Sequence, residues 1–147
     1  MIFIMKKINT ISRCAVAYRN DALKDKTLSP LYHSYVIIIS KKPGISQDEL
    51  VKELCINKSN VARGIANLEK QGYVERKTDN EDKRILRVYP TEKMLKMLPI
   101  VRAVLKEWNQ YLTDGIDDEE IRVFQSVLEH ITKKAKDYIE NREEGII

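Results

Sequence analysis

Leu68-Glu69-Lys70-Gln71-Gly72-Tyr73-Val74-Glu75-Arg76 is the stretch on which the fold turns. Asn57-Lys58-Ser59-Asn60-Val61-Ala62-Arg63 stands ahead of it, and Arg84-Ile85-Leu86-Arg87-Val88-Tyr89 behind. Val61, Ile65 and Leu68 recur at i, i+4 and i+7, which predicts a helix over about 58–71 with one apolar face. Its other side shows Lys58, Ser59, Asn60, Arg63 and Asn67. Asn57 is the expected cap, and Gly72 the expected stop, because glycine takes a left-handed C-terminal position without strain. Gly64 inside the helix costs about 0.5–1 kcal/mol relative to alanine, a cost that close approach of another helix explains. Tyr73–Lys77 and Arg84–Tyr89 are strand-like, and the polar loop between them is longer than a tight hairpin turn. A short helix with a polar, basic outer face, followed by a charged two-stranded hairpin, is a part for reaching into a DNA groove.

Working upstream, Ser46-Gln47-Asp48-Glu49 is a capping box opening a short helix over 46–54, with Leu50, Val51 and Leu54 inward. Cys55-Ile56 turns the chain into Asn57, so two short capped helices follow one another as a helix-turn-helix. Lys42-Pro43-Gly44 ends an earlier segment that contains Tyr35-Val36-Ile37-Ile38-Ile39. That apolar run alone fits a buried strand, but Ser29 as cap with Pro30 at the first position favours a buried helix over 30–41. Residues 6–25 carry Ile8, Ile11, Ala15, Tyr18 and Ala22 three and four apart, a helix with one narrow seam.

Downstream, residues 91–114 place Leu95, Leu98, Val101, Leu105, Trp108 and Leu112 at helical spacing, with Pro99 expected to kink the helix. Asp114-Gly115 ends it. A last helix over about 117–141 opens on four acidic residues that suit its positive end. Its seam is Ile121, Phe124, Leu128, Ile131, Ala135 and Tyr138. The fold class is therefore mainly α with a small β-hairpin.

The chain of 147 residues is long enough for one domain with a real core. Its net charge of +4 conceals an asymmetry: residues 107–147 hold 5 Lys/Arg against 11 Asp/Glu, which leaves residues 1–106 strongly basic. A basic body points to a polyanionic partner. Cys14 and Cys55 form neither a disulfide framework nor a metal spacing. Met1-Ile2-Phe3-Ile4-Met5 is far short of a signal core or membrane span, so a cytoplasmic protein with no membrane association is expected.

Over residues 46–91 the chain resembles the MarR family (multiple antibiotic resistance regulators) of winged-helix transcription regulators. The resemblance is carried by Ser46-Gln47-x-Glu49-Leu50, Lys58-Ser59-x-Val61-x-Arg63, Leu68-Glu69-x-x-Gly72-Tyr73-Val74-x-Arg76 and the wing Asp79-x-x-Asp82-Lys83-Arg84. Thr91 stands where the family's post-wing helix begins. Glu92-Lys93-Met94 follows where many members have a glycine, a departure that touches only the entry to that helix. The order of flanking helices is also similar. The resemblance implies a single domain over 1–147, with 28–90 as the winged helix-turn-helix DNA-binding unit and 1–27 and 91–147 as dimerisation helices. It further implies a homodimer on double-stranded DNA, with recognition helices in successive major grooves of a pseudo-palindromic operator and wings in the minor grooves.

With 58–71 in the major groove, Asn60 suits an adenine edge and Arg63 a guanine or a phosphate. Lys58, Ser59, Gln47 and the cap Asn57 suit the phosphate backbone and its positioning. Arg84 resembles the family's minor-groove arginine, Asp82 would orient it, and Lys77 and Lys83 would add phosphate contacts. The bland alternative is a solvated face with an ordinary exposed ion pair. The dimer interface is expected from Ile8, Ile11, Ala15, Phe124, Leu128, Ile131 and Tyr138, unless those seams close a monomer core.

No serine or cysteine nucleophile has a recognisable base partner, no glycine-rich phosphate loop occurs, and His33 and His130 join no metal-ligand cluster. An enzyme is not expected, nor a cofactor. A small-molecule effector is, in a pocket suggested by the resemblance and lined by Tyr18, Tyr32, His33, Trp108 and Tyr111. For His33 the alternative is a satisfied core histidine; for Cys14, a small core residue or an oxidant sensor. The reading is a dimeric, sequence-specific regulator, a repressor released by its effector. The competing readings are a winged-helix module that binds an acidic protein partner and a small-molecule binder without DNA function.

Overall fold

The computed structural model describes residues 3–24 and 28–145. Two units divide the chain, Met1–Trp108 and Asn109–Ile147.

In the first unit, α1 (Ile4–Ala22) is followed by a 3-10 turn, Pro30–Tyr32, and α2 (His33–Lys41). The proline-led segment is thus helical as expected, but it starts as a tighter turn. Ser29 caps it, accepting from the Leu31 amide at 3.4 Å. Residues 25–27, which include the last position of the helix expected over 6–25, lie outside the described residues. Lys42-Pro43-Gly44 ends α2, and Ile45–Ser46 forms β1, a two-residue strand too short for alternation to reveal. The helix-turn-helix is α3 (Gln47–Leu54) and α4 (Lys58–Lys70), and the wing is β2 (Val74–Thr78) with β3 (Leu86–Pro90). The hairpin is therefore part of a three-stranded antiparallel sheet ordered β1-β3-β2, with Ile45 opposite Val88 and Arg76 opposite Val88 on the other side.

The core lies between these elements. Val36 and Ile39 of α2, Leu50 of α3, Val61, Ile65 and Leu68 of α4, and Val88 of β3 are fully buried together. Area removed from water contributes about 25 cal/mol per Å², so this shared cluster, and not helix propensity, holds the short helices in place. Gly64 is explained as expected: a Cβ there would lie 2.7 Å from the Tyr35 hydroxyl of α2.

α5 (Glu92–Thr113) runs through Pro99 as one helix; of its predicted stripe Val101 is buried and Leu98 and Leu105 pack against the core, while the other buried positions differ. Met94, Met97, Val101 and Val104 are buried, whereas Leu95 is 47% exposed and Leu112 40%. Thr91 sets the phase. Its amide donates to the Tyr73 carbonyl (3.0 Å) and its hydroxyl to that of Gly72 (2.6 Å), while the hydroxyl oxygen faces the Met94 amide at 3.4 Å. Met94 is thereby turned under the start of the wing.

In the second unit α6 (Asp118–Glu143) is capped by Asp117, which accepts from the Glu119 amide at 3.0 Å. α6 buries no residue within the chain, and neither does α1. Phe124 and Tyr138 are each 57% exposed and Ile11 is 48%, while Ile8, Ala15, Leu128 and Ile131 are partly covered. Among the described residues no helix is long and apolar enough to cross a membrane.

Candidate nucleic-acid interface

The outer end of the recognition helix is built by its caps. In the capping box of α3, the Glu49 amide donates to Ser46 Oγ (3.1 Å) and the Ser46 amide to Glu49 Oε2 (2.9 Å). Cys55 closes α3 in the left-handed region at φ 53°, and the chain turns into α4. Asn57 Oδ1 accepts from the Asn60 amide at 2.8 Å, so the Asn57 side chain serves as a cap. With Val61, Ile65 and Leu68 sunk in the core, Lys58, Ser59, Asn60 and Arg63 are all exposed on the opposite face. Arg63 Nη2 donates to Asn60 Oδ1, which joins the two side chains assigned to base reading. Lys58 Nζ lies 3.5 Å from Asp48 across the turn, a surface pair of little energetic weight. Gln47, at the first turn of α3, is partly covered, and its Oε1 is buried without a partner.

The wing is held from inside by Asp79. Its carboxylate accepts from the amides of Glu81 and Asp82, each at 3.1 Å, and from Arg87 Nε at 2.6 Å. Arg87 reaches on to the Gly44 carbonyl with Nη1 (3.0 Å), tying the wing loop to the segment before β1. These bonds, first that of Arg87, hold the Asp79 carboxyl below the ordinary aspartate range. At the loop's end Asp82 accepts from Arg84 Nε and Nη2, both 3.0 Å, and from the Arg84 amide. The Arg84 side chain remains 90% exposed. Lys83 beside it is exposed. Lys77 lies along the sheet, with Nζ 5.1 Å from the Tyr89 ring centroid and 3.9 Å from Glu75. Glu69 ties the wing to α4, receiving Arg76 Nη2 at 2.8 Å and the Arg76 amide at 3.1 Å. The Asp79–Arg87–Gly44 link was not anticipated, because alternation in β3 gives a face to Arg87 but no partner.

The five residues expected to line a pocket are placed as follows. Tyr18 of α1 stacks on Trp108 of α5 at 4.9 Å between centroids, and its hydroxyl donates to Glu107 Oε2 at 3.1 Å. Burial and the Glu107 carboxylate raise the Tyr18 phenol above its usual pKa. Tyr32 is buried, edge-on to Tyr35, and receives Asn67 Nδ2 at 2.7 Å. Tyr111 belongs to the second unit and is 75% exposed. His33 is fully buried, but neither ring nitrogen has a partner, so it is not the satisfied histidine of the sequence reading. Burial first, and then the Arg19 charge, lower its pKa to about 4. Cys14 is exposed and not a core residue. Among the described residues no three His, Cys, Asp or Glu side chains are grouped to hold a metal.

The sequence model of the MarR family matches residues 28–86, which span the capped helices, the recognition helix and most of the wing. A SlyA-like transcription regulator from Listeria monocytogenes superposes with a TM-score of 0.92 at 26% identity, over 99% of this chain and 97% of its own. Residues 28–86 carry a MarR-family domain. Relatives of the chain include the HTH-type transcriptional regulator YybA of Bacillus subtilis, 28% identical over 130 residues, 88% of this chain and 87% of that protein. A MarR-type regulator from Listeria monocytogenes, solved in complex with 26mer DNA, superposes with a TM-score of 0.87 at 26% identity, covering 99% and 97%. This MarR protein is a transcriptional regulator of the winged-helix type, and its family and relatives are regulators, not enzymes.

Proposed function

We propose that this MarR protein is a homodimeric, sequence-specific DNA-binding repressor, with α4 in the major groove and the wing tip in the minor groove. The observation that carries the reading is Arg84: a guanidinium 90% exposed, yet held in a fixed direction by two bonds to Asp82. A side chain fixed in water gains nothing for stability. It gains when a narrow minor groove receives it, where the phosphate potential is deepest. The exposed Lys58, Ser59, Asn60 and Arg63 on α4 supply the accompanying phosphate and base contacts. The Listeria relative solved with 26mer DNA supports DNA as the partner.

The incompletely covered seams support the homodimer. α1 and α6 bury nothing within the chain, and a second copy would cover Ile8, Ile11 and Ala15 on one helix and Phe124, Leu128, Ile131 and Tyr138 on the other. Two recognition helices related by a twofold axis read half-sites about one helical turn apart, roughly 34–36 Å.

Release by a small-molecule effector is the second part of the reading. It is supported by Arg19 Nε and both ring nitrogens of His33, polar atoms buried without a protein partner and close enough for the Arg19 charge to act on His33. Unpaired buried polar atoms carry a desolvation cost that a ligand with matching groups would recover. A ligand favouring one separation of the two recognition helices shifts the DNA-competent population. The test of the DNA reading is selection of duplexes from a random pool by the purified protein. Enrichment of a twofold-symmetric sequence is expected; a pool that stays random contradicts the proposal.

A further inference from the structure

We infer that Tyr32 and Asn67 form a clamp that sets the roll of the recognition helix, and that Asn67 is a positioning residue and not a reader of DNA. The inference rests on the DNA-reading role proposed for α4 and concerns what fixes the angle at which that helix is presented.

Asn60, Gly64, Asn67 and Gln71 follow one another at intervals of four, three and four, a single stripe along α4. The first half of the stripe bears a base-reading side chain; the second half is engaged by the protein. Gly64 receives Tyr35, whose hydroxyl would lie 2.7 Å from a Cβ at that position. One turn on, Asn67 Nδ2 donates to the Tyr32 hydroxyl oxygen at 2.7 Å, while Asn67 Oδ1 accepts from Gln71 Nε2 at 2.9 Å. The Gln71 carbonyl in turn accepts from Lys93 Nζ of α5 at 2.7 Å. The Asn67 amide is therefore engaged at both ends from within the protein, its Nδ2 by a buried hydroxyl, which fixes its direction.

Tyr32 suits the task. It is buried and braced edge-on against Tyr35 at 5.6 Å, so its hydroxyl is a fixed point. Packing of Tyr35 into the Gly64 notch and of Val61, Ile65 and Leu68 into the core seats the helix. A hydrogen bond at its outer edge, which weakens steeply with angle, adds a directional restraint on its roll. Side-chain ends lie roughly 5–6 Å from a helix axis, so a roll of about 10° displaces Asn60 and Arg63 by about 1 Å, enough to spoil bidentate contacts.

The test uses the full chain as wild type, Tyr32→Phe, Asn67→Ala and the double variant. Anisotropy is measured on the duplex enriched by the wild-type protein and on a shuffled one. Tyr32→Phe keeps the buried ring and removes only the hydroxyl, and thermal melting confirms that the fold survives. Each single variant is expected to lower the preference for the enriched duplex by about two- to tenfold, the double variant no further, with shuffled-duplex affinity and salt slope unchanged. Loss with Asn67→Ala but not with Tyr32→Phe would make Asn67 a direct DNA contact and overturn the clamp. Equal loss on both duplexes, or none on either, would leave the bond a packing feature and overturn it too. A wild-type protein that enriches no duplex would instead remove the DNA reading itself, and the clamp with it.

Discussion

Asp82 grips Arg84 at the wing tip by two parallel bonds, Oδ1 to Nε and Oδ2 to Nη2, both 3.0 Å, and accepts the Arg84 amide as well. An acid two residues before a DNA-facing arginine would by charge alone repel the phosphates. In the proposed reading its geometry gives it the opposite role, that of holding the guanidinium in one direction. Asp82→Ala is therefore expected to weaken operator binding although it raises the net charge, and Arg84→Ala to weaken binding across sequences. Arg84→Ala should also reduce the slope of log affinity against log salt by about one. Titrations at several salt concentrations check both. Tighter binding by Asp82→Ala would mean that Asp82 merely repels.

Asn60 and Arg63 are joined through Asn60 Oδ1 and Arg63 Nη2 on the exposed face of α4. Asn60→Ala should relax discrimination at particular base pairs by roughly 1–3 kcal/mol, while a phosphate contact such as Lys58 should change affinity evenly when removed. Competition binding with single-base operator variants separates the two patterns.

Gly64→Ala should destabilise the fold despite better helix propensity. The added methyl meets the Tyr35 hydroxyl at 2.7 Å and its Cζ at 3.0 Å. Overpacking of that kind costs about 1–3 kcal/mol, against the roughly 0.5–1 kcal/mol that alanine gains in a helix. Urea denaturation is the measurement, and the cost should shrink in a Tyr35→Phe background. A variant as stable as wild type would show that α2 yields freely.

His33 predicts a pH dependence. Its folded pKa, about 4, lies below the unfolded value of 6.5, so between those values the unfolded chain binds the extra proton. Its contribution is complete above pH 6.5 and is lost as pH falls towards 4, at no more than about 1.4 kcal/mol per pH unit. The Glu69, Asp79 and Asp82 carboxyls are shifted downward from 4.5, 3.8 and 3.8, so their contributions fade mainly at and below the acid end of that window, outside the range from pH 7 to pH 5. Urea midpoints from pH 7 to pH 5 should fall in the wild type and fall less in His33→Phe.

Phe124→Glu addresses the dimer. The ring is 57% exposed within the chain, so a charge there costs the chain's own packing little. Across a twofold interface it would bring two carboxylates against an apolar surface. Sedimentation should show a folded monomer. An unchanged dimer would place the interface elsewhere.

The recognition helix, its caps and the wing strands were legible because each carries a local signal: period, cap or glycine stop. β1 was not, since two residues show no alternation. The start of the inward stripe of α5 was misjudged because Leu95 and Met94 are equally apolar, and only the tertiary bonds of Thr91 choose between them. Charged positions in the wing were visible as a motif. Which partner each one holds was not, because Asp79 reaches Arg87 and Arg87 reaches Gly44 across sequence separations that no pattern encodes. Tyr32 is legible only as an aromatic residue expected to line a pocket, because its engagement by Asn67, 35 residues away, depends on the tertiary packing of the turn before α2 against α4.

The measurement that bears most directly on the central claim is a fluorescence-anisotropy titration of the purified protein at several salt concentrations. The duplexes are the DNA upstream of its own gene and a shuffled control. The account predicts tight, saturable, salt-sensitive binding to the first and much weaker binding to the second. Equal, weak binding to both would contradict it and reduce the exposed face of α4 and the wing to a basic surface suited to an acidic protein partner.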